Sequence, residues 1–354
     1  MIIPETMRAV VYHGANDLRL QTVPVPEIQP GELLVRVAVC GVCPTDIKKI
    51  HLGALSPPRI FGHETAGVIV RIGAGVRKFR LGDRVALHHH VPCLNCDFCR
   101  RRAFAQCPGY KRTGVTAGFE PAGGGFAEFV RVMPFVLPGV VKIPAPNSFE
   151  EGAMLEPVNT VLKAVLRLAL RPGDHVLVVG QGPIGLMFTR LFRLRGVKVI
   201  ATDLMDSRIK LARQWGAVAA FKATHSNLLA KIRNTAPCLD AAVVAVPSQE
   251  ALTQAFALVR GSGKILLFAH TRRGDASLLD LSNVCVDEKD LLGSYSSDFT
   301  LQAEVARLVF TRQLDTRRLI THRFPLKMAA SAVALAGSPV SKSLKVVVNQ
   351  PLAT

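Results

Sequence analysis

The run Val176-Leu177-Val178-Val179 leads directly into Gly180-Gln181-Gly182-Pro183-Ile184-Gly185, and the amphipathic segment Gly185–Leu194 follows. A G-x-G-x-x-G between a strand and a helix restricts the fold more than any other feature of this chain. From Arg171 onward, short apolar runs alternate with amphipathic stretches: Val197–Thr202, then Ser207–Trp215, with Asp240–Val246 and Lys264–Ala269 continuing the series. That alternation predicts a parallel, doubly wound α/β sheet. Gly180 would allow the tight turn, Gly182 the approach of a pyrophosphate, and Gly185 close packing of helix on strand. The helix start at Pro183 and Ile184 would face the phosphate charge. Asp203 ends the second strand, where a carboxylate accepts from the adenosine ribose hydroxyls and repels a 2′-phosphate. This favours NAD over NADP. Arg208, shortly after it, could lie against the adenine or offset a phosphate.

The first 150 residues have a different texture. Met7–Tyr12, Glu32–Val39, Ala66–Ile72, Arg84–Leu87 and Phe126–Val132 read as short strands separated by Gly and Pro, as expected for a small barrel-like β domain. Within this region Cys93, Cys96, Cys99 and Cys107 form a C-x2-C-x2-C-x7-C run. Four thiolates in so short a loop can close a tetrahedral shell around Zn²⁺, whereas cysteines two apart make poor disulfide partners. A closed shell is structural, so any catalytic metal must lie elsewhere. Gly41-Val42-Cys43-Pro44-Thr45-Asp46 and Gly62-His63-Glu64 supply that second set: a thiolate, an imidazole and a carboxylate, with room for a fourth ligand.

The net charge of +18 and pI near 10.0 raise the question of nucleic acid. Lys and Arg are scattered, however, with short clusters at Arg100-Arg101-Arg102 and at Arg190, Arg193 and Arg195. Three Tyr and one Trp offer little for base stacking. No nucleic-acid partner is expected, and the charge is read as a basic solvated surface that attracts anionic small molecules. Met1–Glu5 lacks the basic n-region of a secretory signal and no apolar run is long enough to span a bilayer, so a cytoplasmic protein without a membrane partner is expected.

Together these segments resemble the zinc-containing medium-chain dehydrogenases (the alcohol dehydrogenase family) nearly end to end. The resemblance is carried by Gly41–Asp46, Gly62-His63-Glu64-Thr65-Ala66-Gly67, Gly82-Asp83-Arg84-Val85, the Cys93–Cys107 loop, Gly123-Gly124-Gly125-Phe126-Ala127-Glu128, Gly180–Gly185 and Ile320–Leu326. Leu155-Glu156-Pro157 resembles the signature of the branch of polyol (sorbitol-type), sugar-alcohol-phosphate and threonine dehydrogenases. The resemblance implies a GroES-like zinc catalytic domain over 1–157, a Rossmann NAD-binding domain over 158–294, and a return segment, 295–354, completing the first domain. It implies one catalytic and one structural zinc per chain and a homodimer or homotetramer. Cys43 and His63 would be zinc ligands, with Glu64 or Glu156 supplying a carboxylate directly or through water. Thr45 would relay the proton of the substrate hydroxyl and Asp46 would orient the metal shell. Val246, Phe268, Ala269, Ser294 and Tyr295 would line the cofactor cleft. The implied reaction is hydride transfer between a secondary alcohol or its ketone and NAD, with a 3-hydroxy amino acid such as threonine as the alternative substrate. A non-catalytic, nucleotide-binding relative would lack a metal ligand or the relay hydroxyl, and none is missing.

Several positions depart from that pattern or go beyond it. Pro44 replaces a small residue after the zinc cysteine and would stiffen the loop. Lys48 and Lys163 stand where relatives often carry His. Asn159 is a further polar candidate for the cleft. Of His88, His89 and His90, one would line the wall. Cys40, Cys238 and Cys285 are expected as core thiols.

Overall fold

A computed structural model describes residues 3–88, 91–109, 124–269, 274, 276–338, 340 and 342–351. Gly123, His89, His90 and His270 lie outside the described residues.

The chain begins with an antiparallel hairpin, β1 (Thr6–Gly14) and β2 (Asp17–Pro24), followed by β3 (Leu33–Gly41). Helix α1 (Pro44–His51), β4 (Arg59–Ile60), β5 (Glu64–Ile72), β6 (Arg84–Ala86), β7 (Phe129–Val132) and β8 (Val141–Lys142) come next. Helix α2 (Leu155–Leu168) leads into β9 (His175–Val179), α3 (Pro183–Leu194), β10 (Lys198–Asp203), α4 (Asp206–Gln214) and β11 (Ala219–Lys222). Strands β12 (Leu239–Val244), β13 (Val259–Leu267) and β14 (Asp290–Gly293) complete that part, and β15 (Ile320–Pro325) and β16 (Lys345–Asn349) end the chain. The residues divide into two compact units, Met1–Asn159 with Ser296–Thr354, and Thr160–Tyr295.

The first unit holds a three-stranded sheet, β2-β1-β4, and a sheet of order β15-β16-β3-β5-β6-β8, with β7 also paired to β3. Strands β3 and β5 are buried along most of their length, and Leu33, Val35, Val37 and Ile69 join Val85, Val130 and Val132 in one core cluster. Each such side chain contributes about 1.5–3 kcal/mol when fully buried. A second cluster packs Tyr12 and Phe61 edge to face, 5.3 Å between centroids, with Phe126 and Val348. Sequence reading starts a strand at Phe126, but the ladder to β3 begins at Phe129; Ala127 makes only an isolated bridge to Ala9. Strand β2 is not among the strands expected from the sequence; Leu18 and Leu20 alternate with polar residues, but only Val23 of the strand is buried.

The second unit is a six-stranded sheet of order β11-β10-β9-β12-β13-β14 in which every pair is parallel. This is the doubly wound α/β arrangement that the alternation of runs predicts. The order reverses between β9 and β12, and a crevice for a dinucleotide forms outside the strand ends at such a switch point.

Candidate metal and dinucleotide sites

Cys43 is the N-cap of α1 and Asp46 its N3 residue. The Cys43 sulfur accepts the Thr45 N–H at 3.5 Å, and Asp46 Oδ2 accepts the Cys43 N–H at 3.4 Å. Pro44 takes the first helical position, where its missing N–H costs nothing and its fixed φ suits the helix. It therefore starts a helix and does not merely stiffen a loop. Thr45 is half-buried beside Cys43.

His63 and Glu64, at the start of β5, are both buried. One donor atom each from Cys43, His63 and Glu64 lies within 4.8 Å of the others. The His63 Nδ1 stands 3.1 Å from Asp46 Oδ1, which leaves Nε2 for a metal. Burial opposes charge on His63, but Asp46, and the Cys43 thiol beside it, outweigh this and raise the imidazole well above its ordinary range. Burial raises the Glu64 carboxyl, with Glu156 adding to the effect and Lys345 opposing it. Glu156, in the first turn of α2, is buried close enough for that influence, yet is not within 4.8 Å of all three donors. Gly41 faces this carboxylate across the β3–β5 ladder, and a Cβ there would overlap Glu64 Oε2. Thiolate, imidazole and carboxylate with an oriented histidine suit zinc that keeps an open position.

The second set is closed. Cys96 caps a short helix, Asp97–Arg100, that carries Cys99, and the turn Phe104–Gln106 delivers Cys107. All four sulfurs lie within 4.8 Å of one another. Cys96 Sγ is 3.5 Å and Cys93 Sγ 3.9 Å from Cys99 Sγ. A tetrahedral shell with Zn–S of 2.3 Å requires edges of about 3.8 Å, so the sulfurs fit one zinc. The Cys93 thiol is pushed down to about 6, first by a hydrogen bond from the Asn95 backbone, whereas burial pushes Cys99 up to about 12. Phe104 and Phe299 pack edge to face beside the loop, at 5.3 Å.

In the parallel sheet, Gly180 turns with φ +89° and its N–H donates to the Thr202 carbonyl at 2.8 Å. A Cβ on Gly185 would overlap the Gly180 carbonyl, so that glycine is required by packing. One on Gly182 would meet only Arg208 Nη1, at 3.8 Å. Packing therefore does not require glycine at 182, whereas a phosphate approaching the backbone does. Gly182 caps α3, whose first residues are Pro183 and Ile184. Asp203 accepts the Gln181 N–H at 2.6 Å and the Met205 N–H at 2.8 Å, and Arg208 Nη1 lies 3.9 Å away. The carboxylate thus fixes the glycine turn, a role the motif alone does not disclose. Val246 follows β12, Phe268 and Ala269 follow β13, and Ser294 and Tyr295 follow β14. All lie beyond the C-terminal ends of parallel strands, on the same edge as the glycine turn. Ser294 Oγ is buried with no hydrogen-bond partner among the described residues.

The sequence profile of the alcohol dehydrogenase GroES-like domain matches residues 29–145, and that of the zinc-binding dehydrogenases matches 183–311. The chain is 30% identical to a sorbitol dehydrogenase of Bombyx mori over 93% of this chain and 95% of the relative. The chain belongs to the zinc-dependent medium-chain alcohol and polyol dehydrogenases. A sorbitol dehydrogenase of Bacillus subtilis is 28% identical over 98% of both chains. Among solved structures, a zinc-binding dehydrogenase of Sinorhizobium meliloti bound to NADP superposes with a TM-score of 0.89 at 26% identity, covering 98% of this chain and 100% of that one.

Several side chains of this dehydrogenase differ from the sequence expectation. Asn159 does not offer its amide to a cleft. It donates to Gln302 Oε1 at 2.9 Å and accepts the Asp298 N–H at 2.8 Å, a buried structural network. The Lys163 ammonium donates to the Tyr295 carbonyl at 2.9 Å. His88 is buried with Nε2 3.3 Å from Ser297 Oγ. Cys40 is a core thiol, pushed up to about 12 by burial, but Cys238 and Cys285 are exposed. Val286, next to Cys285, is likewise 78% exposed. The residue missed altogether is Lys345, whose ammonium donates to Glu64. A lysine opening the apolar run Val346–Val348 was the available signal, but nothing in the sequence identifies its partner.

Proposed function

We propose that this chain oxidises a secondary alcohol carried by a polyol, a sugar alcohol or a phosphorylated or cyclic analogue, passing hydride to NAD. The observation that carries the reading is the set of half-buried Cys43 with buried His63 and Glu64, oriented by Asp46, in a chain that also bears the glycine turn and Asp203. Residues 1–157 with 295–354 would form the catalytic domain, and 158–294 the NAD-binding domain. Cys43, His63 and a carboxylate from Glu64 or Glu156 would hold the catalytic zinc, and the four-cysteine loop a structural one. When bound, the catalytic zinc supplies Lewis-acid polarisation of the substrate hydroxyl. Asp46 fixes the His63 ring, and the half-buried Thr45 hydroxyl carries the substrate proton outward. Gly180, Gly182, Pro183, Ile184 and Gly185 receive the pyrophosphate, and Asp203 the ribose hydroxyls. Arg208 lies against the adenosine end, and Val246, Phe268, Ala269, Ser294 and Tyr295 line the cofactor cleft.

The polyol class is supported by Leu155-Glu156-Pro157 and by relatives named sorbitol dehydrogenase. The preference for NAD rests on the Asp203 carboxylate, although the Sinorhizobium protein was crystallised with NADP. All eight cysteines are free, which suits a reducing cytoplasm, and a homodimer or homotetramer is the expected assembly. Among the described residues no helix is long and apolar enough to cross a membrane.

The test is kcat/KM for polyols, phosphorylated sugar alcohols, cyclitols, 3-hydroxy amino acids and aliphatic alcohols, each with NAD⁺ and NADP⁺. The reading expects a polyhydroxylated substrate with NAD⁺ to rank first. A 3-hydroxy amino acid or an aliphatic alcohol ranking first would overturn the substrate class, and NADP⁺ ranking first would overturn the role of Asp203.

A further inference from the structure

Lys345 opens β16 and is only 5% exposed. Its ammonium donates to the Val42 carbonyl at 3.0 Å and to Glu64 Oε1 at 2.6 Å, and pairs with Glu64 Oε2 as well. Val42 immediately precedes Cys43, and Glu64 immediately follows His63. One buried cation therefore touches the backbone beside one donor of the metal set and the carboxylate of another. Burying an ammonium is costly unless it is paired, and replacing a buried ion pair by apolar side chains of similar volume is often neutral or stabilising. Core packing does not require a charge at this position. The charge acts on what lies beside it.

We propose that Lys345 is a positioning residue of the metal centre, sharing the Glu64 carboxylate with the metal so that Glu64 remains a weak and displaceable donor. This rests on Cys43, His63 and Glu64 as the holders of the catalytic zinc. While the ammonium engages both carboxylate oxygens, Glu64 offers the metal only part of its charge, and the fourth position stays open to a substrate hydroxyl. Without Lys345 the whole charge of Glu64 turns to the metal. The site then holds zinc more tightly and exchanges ligands more slowly. A lysine that merely braced the fold would have the opposite effect, because its loss would loosen the site.

The experiment measures zinc release to a chromogenic chelator and the visible spectrum of the cobalt-substituted enzyme. It compares the native enzyme with Lys345→Met, Lys345→Arg, Glu64→Gln and Glu64→Gln/Lys345→Met. Lys345→Met should release the Cys43-site zinc about tenfold more slowly or slower still, with a shifted cobalt spectrum and a reduced kcat. Lys345→Arg, which keeps the charge, should restore the native spectrum and release rate. Because Lys345→Met leaves a buried carboxylate without its cation, the second pair of variants provides an independent reading should it fail to fold. Glu64→Gln exposes the metal to an uncompensated ammonium and should lose zinc faster than the double variant. Release from Lys345→Met at or above the native rate would overturn the proposal, as would equal rates in the second pair. A native cobalt spectrum unaffected by Cys43→Ser would instead refute the ligand assignment beneath it.

Discussion

Asp46 Oδ1 lies 3.1 Å from His63 Nδ1, and both side chains are buried. The contact fixes which imidazole nitrogen is available to a metal, and a negative partner strengthens that nitrogen as a donor. Asp46→Asn keeps the shape and removes the charge. Zinc affinity at the Cys43 site should fall about 10–100-fold, as read by chelator competition, with little change at the four-cysteine loop.

The two donor sets predict two zinc ions per chain. Cys96→Ser breaks a closed shell that holds a loop together, so it should lower thermal stability and leave one zinc in metal analysis. Cys43→Ser should also leave one zinc, with the fold intact and turnover abolished. The contrast follows from one shell being closed and the other open.

Gly182 and Gly185 should separate binding from folding. Gly182→Ala meets only Arg208 Nη1, at 3.8 Å, so the melting temperature without cofactor should stay within about 2 °C of native while the NADH Kd rises about tenfold or more. Gly185→Ala drives a methyl into the Gly180 carbonyl and should lower the melting temperature before any cofactor is added. Melting curves and fluorescence titration together would test the pair.

Glu32 is buried against Arg131, with Nη2 and Nε each 2.7 Å from a carboxylate oxygen, and it also accepts the Gln29 N–H at 2.7 Å. Burial raises its pKa, but Arg131 and that N–H outweigh it and hold the carboxyl below its ordinary range. The folded-state pKa is depressed, so the stabilisation is complete above the unfolded value of about 4.3 and is lost as pH falls through the folded value. Glu32→Gln should cost about 3 kcal/mol at neutral pH, because it removes the carboxylate charge that faces the Arg131 guanidinium. The gap in melting temperature between native and variant should narrow as pH falls from about 6 toward about 3.

The clustering of the candidate metal donors was legible because their chemistry is local: Cys43 and His63 announce themselves by residue type, and the four cysteines by spacing. The parallel sheet was legible because its period changes along the chain. The partners that tune these groups were not. Glu64 and Lys345 are 281 residues apart, and only the β16–β3 and β3–β5 pairings bring them together. Asn159 looked like a cleft residue because a polar side chain in an apolar helix suggests a ligand, yet a buried amide is equally satisfied by a neighbouring glutamine and a backbone N–H. Asp203 was expected as a ribose acceptor, whereas its bracing of the glycine turn was not legible, because hydrogen bonds to backbone leave no mark on composition.

Asn159 has a further consequence. It is the last residue of the first unit before the chain departs, and Asp298, whose N–H it accepts, follows closely on the return. The host unit is therefore clasped shut at the very point where the guest Thr160–Tyr295 is spliced into it. The two stumps therefore stand within one hydrogen bond of each other, and a bridge joining them would span little distance. Because Cys43, His63, Glu64 and the four-cysteine loop all belong to the host, the excursion through 160–295 enters and leaves at one seam without dividing either set of candidate metal donors.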